Sequence, residues 1–285
     1  MTDRLLTLAS LAAALLPGCV PPQPETPFPA VHLTEPTTGR SYALYVPSYY
    51  TKDQAWPLVV ALHGTFGFDS PDWEITSWKD VAEKRGLIVA APELRSVQGI
   101  MPVEKEQWLK DLDSDEKAIL AVIDDVRSRY NIATIQDKPP VAHKGNIPVA
   151  TKPHKPGGAG PAQTASRPAI LLSGFSAGGF PLYYTALRNP ERFHMMIAMG
   201  ANSSPDIFER VSIVPELLLL HIAIVFGRDD LKKVQDESWQ AYAWLRSEKV
   251  RCFQTERRQA PAGHLRRPEL QYQLWSSHLP HPAKP

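Results

Sequence analysis

The chain has 285 residues, of which 43% are hydrophobic and 21% charged, and its formal net charge is +1. That balance suits a soluble globular protein of one large α/β domain or two small ones, and it supplies no field that would gather nucleic acid. No Walker-type loop, zinc-finger spacing or basic stripe interleaved with aromatics occurs, and two cysteines, Cys19 and Cys252, cannot build a disulfide framework.

In chain order, the first element is the apolar run from Leu5 to Leu16. It is too short to cross a bilayer and has the length of a secretory h-region. It ends in Leu16-Pro17-Gly18-Cys19, and Leu-x-Gly-Cys resembles a bacterial lipobox, which makes Cys19 the expected lipidation site. The Pro-rich stretch Val20 to Pro29 cannot continue a helix and reads as a tether. Residues 1–19 are therefore expected to be a signal and lipoprotein segment, 20–30 a tether, and 31–280 one folded domain. The expected destination is the cell envelope or the medium, with membrane anchoring through Cys19.

Gly39 to Pro47 reads as an early strand. Leu58 to Leu62 and Leu87 to Pro92 are continuous apolar runs of the kind buried on both faces of a parallel sheet. Between them Asp69 to Arg85 contains a helix, with Gly86 as its C-cap. A loop with Trp108 is expected next, then an amphipathic helix over Asp113 to Tyr130 with Ile119, Val122, Ile123 and Val126 on one face. The Pro-rich segment 137–168 has no aromatic residue and reads as a flexible insertion at the N-terminal ends of the strands, away from any ligand site. Strands are expected at Phe193 to Gly200, within Leu217 to Phe226, and at Val250 to Glu256. Helices are expected at Pro205 to Arg210, Asp236 to Glu248 and Arg266 to His278. This alternation predicts one doubly wound, mostly parallel sheet flanked by helices.

The run Ala169 to Leu172 leads into Gly174-Phe175-Ser176-Ala177-Gly178 and then a helix-competent segment. Strand, sharp turn with a central serine, then helix is the geometry of a nucleophile elbow. A bare Gly-x-Ser-x-Gly is weak, since glycine and serine are common in turns; partners later in the chain give it weight. A serine needs a base, and the base needs an orienting acid, in the chain order Ser, Asp or Glu, His. Gly227-Arg228-Asp229-Asp230 comes directly after an apolar strand. Asp230 is the expected acid, and Asp229 is the close alternative. Gly263-His264, ahead of the last helix, supplies the expected base. His278 and His281 lie in a Pro-rich tail, His32, His143 and His154 in segments expected to be flexible, and His194 and His221 in or beside strands, where a core role is expected.

An oxyanion hole needs two N–H donors. Ala177 is next to the nucleophile in the chain. Leu62-His63-Gly64-Thr65 supplies the second, with Thr65 as the expected donor and His63 as a residue that shapes the loop.

His63-Gly64-Thr65, Gly174 to Gly179, Gly227 to Asp230 and Gly263-His264, in that order, resemble the α/β-hydrolase superfamily. The likeness is to secreted esterases of the polyhydroxybutyrate depolymerase, feruloyl esterase and dienelactone-hydrolase-like types. It implies the α/β-hydrolase fold, an acyl-enzyme mechanism on carboxylic esters, small or polymeric, and no cofactor or metal. A peptidase or acyltransferase would use the same residues, and a non-catalytic surface lipoprotein is the reading from another class. The short segment 200–216 leaves no room for a large cap, so an open site is expected. Phe66, Phe68, Trp73 and Trp108 would stand near its mouth or pack in the core.

Overall fold

The computed structural model describes residues 30–65, 67–97, 104–136, 166–257 and 267–277. The expected leader with Cys19, the tether up to residue 29, Phe66, the insertion from 137 to 165 and the segment carrying His264 lie outside the described residues.

The strands, in chain order, are β1 (Val31–Thr34), β2 (Ser41–Tyr45), β3 (Leu58–Leu62), β4 (Ile88–Pro92), β5 (Thr134–Gln136), β6 (Ser166–Pro168), β7 (Ile170–Phe175), β8 (Met195–Met199), β9 (His221–Gly227) and β10 (Cys252–Arg257). Eight of them form one sheet in the order β1-β2-β4-β3-β7-β8-β9-β10. From β4 to β10 every pair is parallel, while β2 runs antiparallel to both β1 and β4. β3, β4 and β8 are buried at every position, as expected of strands covered on both faces.

The helices are α1 (Pro71–Arg85), α2 (Lys105–Arg129), α3 (Gly179–Arg188), α4 (Pro205–Phe208), α5 (Lys232–Ser247) and α6 (Pro268–Ser276). Alternation along β3 separates two cores. Leu58, Val60 and Leu62 pack with Ile119 and Val122 of α2, Leu182 of α3 and Leu245 of α5. Val59 and Ala61 pack with Ile75 and Trp78 of α1 and Trp275 of α6. The sheet is thus sandwiched between two helix layers.

α1 starts where Ser70 caps the Trp73 N–H and Pro71 takes the first turn. It stops at Gly86, whose φ of +68° suits glycine. α6 is fastened across the back of the sheet. Trp275 Nε1 donates to His194 Nδ1 at 3.0 Å, Gln271 bonds Ser173, and Arg85 pairs with Glu269 at 2.7 Å. The core role expected of His194 is borne out.

Several boundaries differ from the sequence reading. Trp108 lies inside α2, which opens at Lys105; the charged first turns of that helix hide its start from an apolar-periodicity reading. α5 begins at Lys232, one turn earlier than expected. Within the run Leu217 to Phe226, Leu217 belongs to a 3-10 turn, Pro215–Leu219, and the expected strand is β9, starting at His221. β5 and β6 pair antiparallel at the edges of the insertion, so residues 166–168, expected to be irregular, are a strand. Buried Arg167 of that strand donates to the Phe193 and Glu216 carbonyls. Among the described residues no helix is long and apolar enough to cross a membrane.

Candidate active site

Ser176 comes immediately after β7 and has a φ of +51°, left-handed backbone that a non-glycine residue rarely adopts. Neighbouring contacts enforce it. The Ser176 carbonyl accepts from Asn202 N at 2.9 Å. Asn202 is itself pinned, since Glu237 of α5 accepts from Asn202 Nδ2 at 2.7 Å and from Ser203 N at 3.2 Å. The motif glycines are required by close approach. A Cβ on Gly178 would lie 2.5 Å from the Leu62 carbonyl oxygen and 2.6 Å from that of His63, and one on Gly174 would lie 2.7 Å from the Gly178 oxygen. The serine is half-buried and opens a 3-10 turn that runs into α3.

The turn after β3 leans on this serine, for a Cβ on Gly64 would meet Ser176 Cβ at 3.2 Å. His63 is buried, and its Nδ1 donates to the Gly64 carbonyl at 2.8 Å, so it shapes the loop as expected. Asp69, also buried, accepts from Gly64 N at 2.6 Å and from Ser70 N at 2.8 Å. Among the described residues neither the Thr65 nor the Ala177 N–H has a hydrogen-bond acceptor. Both amides belong to the two segments that meet at Ser176.

Asp230 lies just beyond β9, two strands from β7. It is buried, while Asp229 is exposed. Its Oδ1 accepts from Leu231 N at 2.8 Å, and its Oδ2 is buried with no hydrogen-bond partner among the described residues. Burial pushes its carboxyl above the usual carboxylate range, against the hydrogen bonds it accepts from the Leu231 and Gly227 backbone. The expected base, His264, falls after β10, the strand next to β9. Ser176, Thr65 and Asp230 therefore all sit at the carboxyl ends of parallel strands, where ligands bind in such sheets.

The aromatic residues divide. Phe68 and Trp73 are 71% and 62% exposed, whereas Trp108 is half-buried, edge-on to Phe180 at 5.2 Å. Between β8 and β9 only α4 and the 3-10 turn intervene, so no large cap is present there. Among the described residues no cluster of three or more His, Cys, Asp or Glu is arranged to hold a metal ion.

Asp69, Asn202 and Glu237 were missed by sequence reasoning. Their roles depend on hydrogen bonds between groups brought together from other parts of the turn or chain, and no spacing rule encodes that.

No family model and no curated relative matches the chain. Solved structures do. An α/β serine hydrolase without lid from Xanthomonas campestris is 15% identical, with 91% of this chain and 100% of that one covered and a TM-score of 0.52. An S-formylglutathione hydrolase from Staphylococcus aureus is 13% identical over 92% and 98%, with a TM-score of 0.57. A ferulic acid esterase from Anaeromyces mucronatus is 16% identical over 82% and 83%, with a TM-score of 0.55. The likeness is one of fold and runs over nearly the whole chain.

Proposed function

We propose that this chain, which has the α/β-hydrolase fold, is a serine carboxylic-ester hydrolase. The observation that carries the reading is Ser176, held at a φ of +51° between two segments whose Thr65 and Ala177 N–H groups have no acceptor among the described residues. In this reading Ser176 Oγ attacks the ester carbonyl as His264 takes its proton. Thr65 and Ala177 N–H groups receive the oxyanion. The tetrahedral intermediate collapses, His264 hands its proton to the departing alcohol, and the acyl group stays on Ser176. Water, deprotonated by His264, then attacks the acyl-enzyme and releases the acid. Asp230 orients His264 and stabilises its charged form; its buried Oδ2, without a partner among the described residues, supports that role. No step requires a cofactor or a metal.

The absence of a large cap between β8 and β9 and the exposed Phe68 and Trp73 favour esters that approach from open solvent, soluble or polymeric, over a lipid chain swallowed whole. That solved neighbours of the same fold are described as a formylglutathione hydrolase and a ferulic acid esterase supports an ester or thioester carbonyl as the target. Export, with lipidation at Cys19, belongs to the same proposal and rests on the leader-like run alone. Intact-mass measurement of membrane-purified protein should find a lipid-modified N-terminus at Cys19; an unmodified chain beginning before it would contradict that part.

The test of the function is hydrolysis of short and medium p-nitrophenyl esters by wild type and Ser176→Ala. Turnover should be lost with Ser176. A folded wild type with no turnover on any chain length would favour a surface lipoprotein that binds a ligand, and turnover confined to peptide substrates would favour a peptidase.

A further inference from the structure

We infer that Asp69 is a positioning residue that aims the oxyanion hole: its carboxylate occupies the Gly64 N–H and ties both ends of the β3–α1 turn, leaving the Thr65 N–H as the donor turned toward Ser176. The inference rests on the serine-hydrolase reading and adds to it a residue that the order of motifs does not reveal.

The chain must leave β3, present a donor to the serine and enter α1 within a few residues. Three bonds fix how it does so. The Asp69 Oδ2 accepts from Gly64 N at 2.6 Å, a short charge-assisted bond, and Oδ1 accepts from Ser70 N at 2.8 Å. One carboxylate therefore bridges the start of the turn and the first residue before α1. The third bond is from His63 Nδ1 to the Gly64 carbonyl. Between Thr65 and Phe68 the turn is closed by Phe68 N donating to Thr65 O at 3.1 Å, with Gly67 at a φ of +89°.

Peptide planarity converts these bonds into a direction. The Gly64 carbonyl and the Thr65 N–H belong to one trans peptide and point opposite ways. Fixing the carbonyl on His63 fixes where the Thr65 N–H points. The preceding peptide, whose N–H is that of Gly64, is fixed by Asp69. Both peptides that set the donor's aim are thus held from behind. The arrangement also explains Gly64, since a Cβ there would be 3.0 Å from Asp69 Oδ2 and 3.2 Å from Ser176 Cβ. Asp69 and Ser176 press on the same α-carbon.

A carboxylate that only held the fold would matter for melting and not for turnover. One that aims a donor at a charge present only in the transition state affects kcat and leaves KM nearly unchanged. The experiment compares wild type, Asp69→Asn and Asp69→Ala for kcat, KM, affinity for a trifluoromethyl ketone that forms a tetrahedral oxyanion adduct, and thermal midpoint. Asp69→Ala should lose about 10- to 100-fold in kcat and a similar factor in ketone affinity, with KM within about threefold of wild type. Asp69→Asn keeps one acceptor for Gly64 N–H and should fall between them. Variants that melt earlier yet keep wild-type kcat and ketone affinity, assayed well below their midpoints, would overturn the inference. If Asp69→Ala does not fold, Asp69→Asn decides by the same two readouts. A wild type without ester turnover would instead refute the serine-hydrolase reading, which separates the two failures.

Discussion

Ser176 is a residue with a strained backbone, and its neighbours make the strain unavoidable. A non-glycine at a φ of +51° costs roughly 1–3 kcal/mol and persists only where packing over-determines it. Here the packing is the approach of Gly178 to the end of β3. Gly178→Ala should therefore destabilise the fold by about 2–4 kcal/mol and remove turnover, read by urea denaturation and ester assay, because the new methyl would lie 2.5 Å from a backbone oxygen. At Asp230 stability and activity should part company. Burial raises its carboxyl above the ordinary 3.8, so the native state binds the proton more tightly than the unfolded chain. Stability at this site falls as pH rises through the carboxyl range. Asp230→Asn should consequently unfold no earlier than wild type at pH 7, with the gap closing as pH falls toward 4, while kcat drops about 10³- to 10⁴-fold. Asp229→Asn should stay within about threefold in kcat, as expected of an exposed side chain away from the reaction. The reverse order of the two variants would make Asp229 the acid.

The elements show how far a sequence carries. β3, β4 and β8 announce themselves as unbroken apolar runs, and the elbow strand, its serine and the helix after it stand where the pattern places them. Tertiary pairing decides the rest. Ser166-Arg167-Pro168 has no strand signature, and Arg167 is buried only because carbonyls from two other segments receive its guanidinium. The first turns of α2 carry charge at half their positions, so periodicity points to a start at Asp113 where the helix begins at Lys105. Asp69 reads from sequence as the edge of a helix, and only the fold brings its carboxylate onto Gly64. α1 offers a further test. Its buried Glu83 accepts from Tyr45 OH at 2.6 Å, Ser48 N at 3.0 Å and the Ser48 hydroxyl, joining the helix to the end of β2. Burial alone would raise this carboxyl, but the hydrogen bonds outweigh it and hold it below 4.5. A lowered pKa stabilises the fold above the ordinary carboxyl range, and that contribution is lost as pH falls through the native value. Glu83→Gln should therefore cost about 1–3 kcal/mol at pH 7, with the difference from wild type shrinking in acid, measured by denaturant titration at several pH values.

On the scale of the whole molecule, the sheet separates the proposed catalytic residues from the edges of the insertion. Ser176, Thr65 and Asp230 stand at the carboxyl ends of β7, β3 and β9. The edges of the insertion stand at the opposite end, where Ala169 N bonds Ala133 O just before β7 begins. Gln136 and Ser166 are antiparallel partners, so the ends to be joined are already neighbours. Replacing residues 137–165 by an Asn-Gly turn should keep the fold and leave ester kcat/KM within about twofold. A large loss of activity in a folded protein would mean that the insertion reaches the site.

Whether Ser176 is the nucleophile is decided by fluorophosphonate labelling read out with peptide mass spectrometry. One phosphonyl group per chain is expected, on Ser176, and none on Ser176→Ala. A folded wild type that stays unlabelled, or carries the label on another residue, would contradict the serine-hydrolase reading.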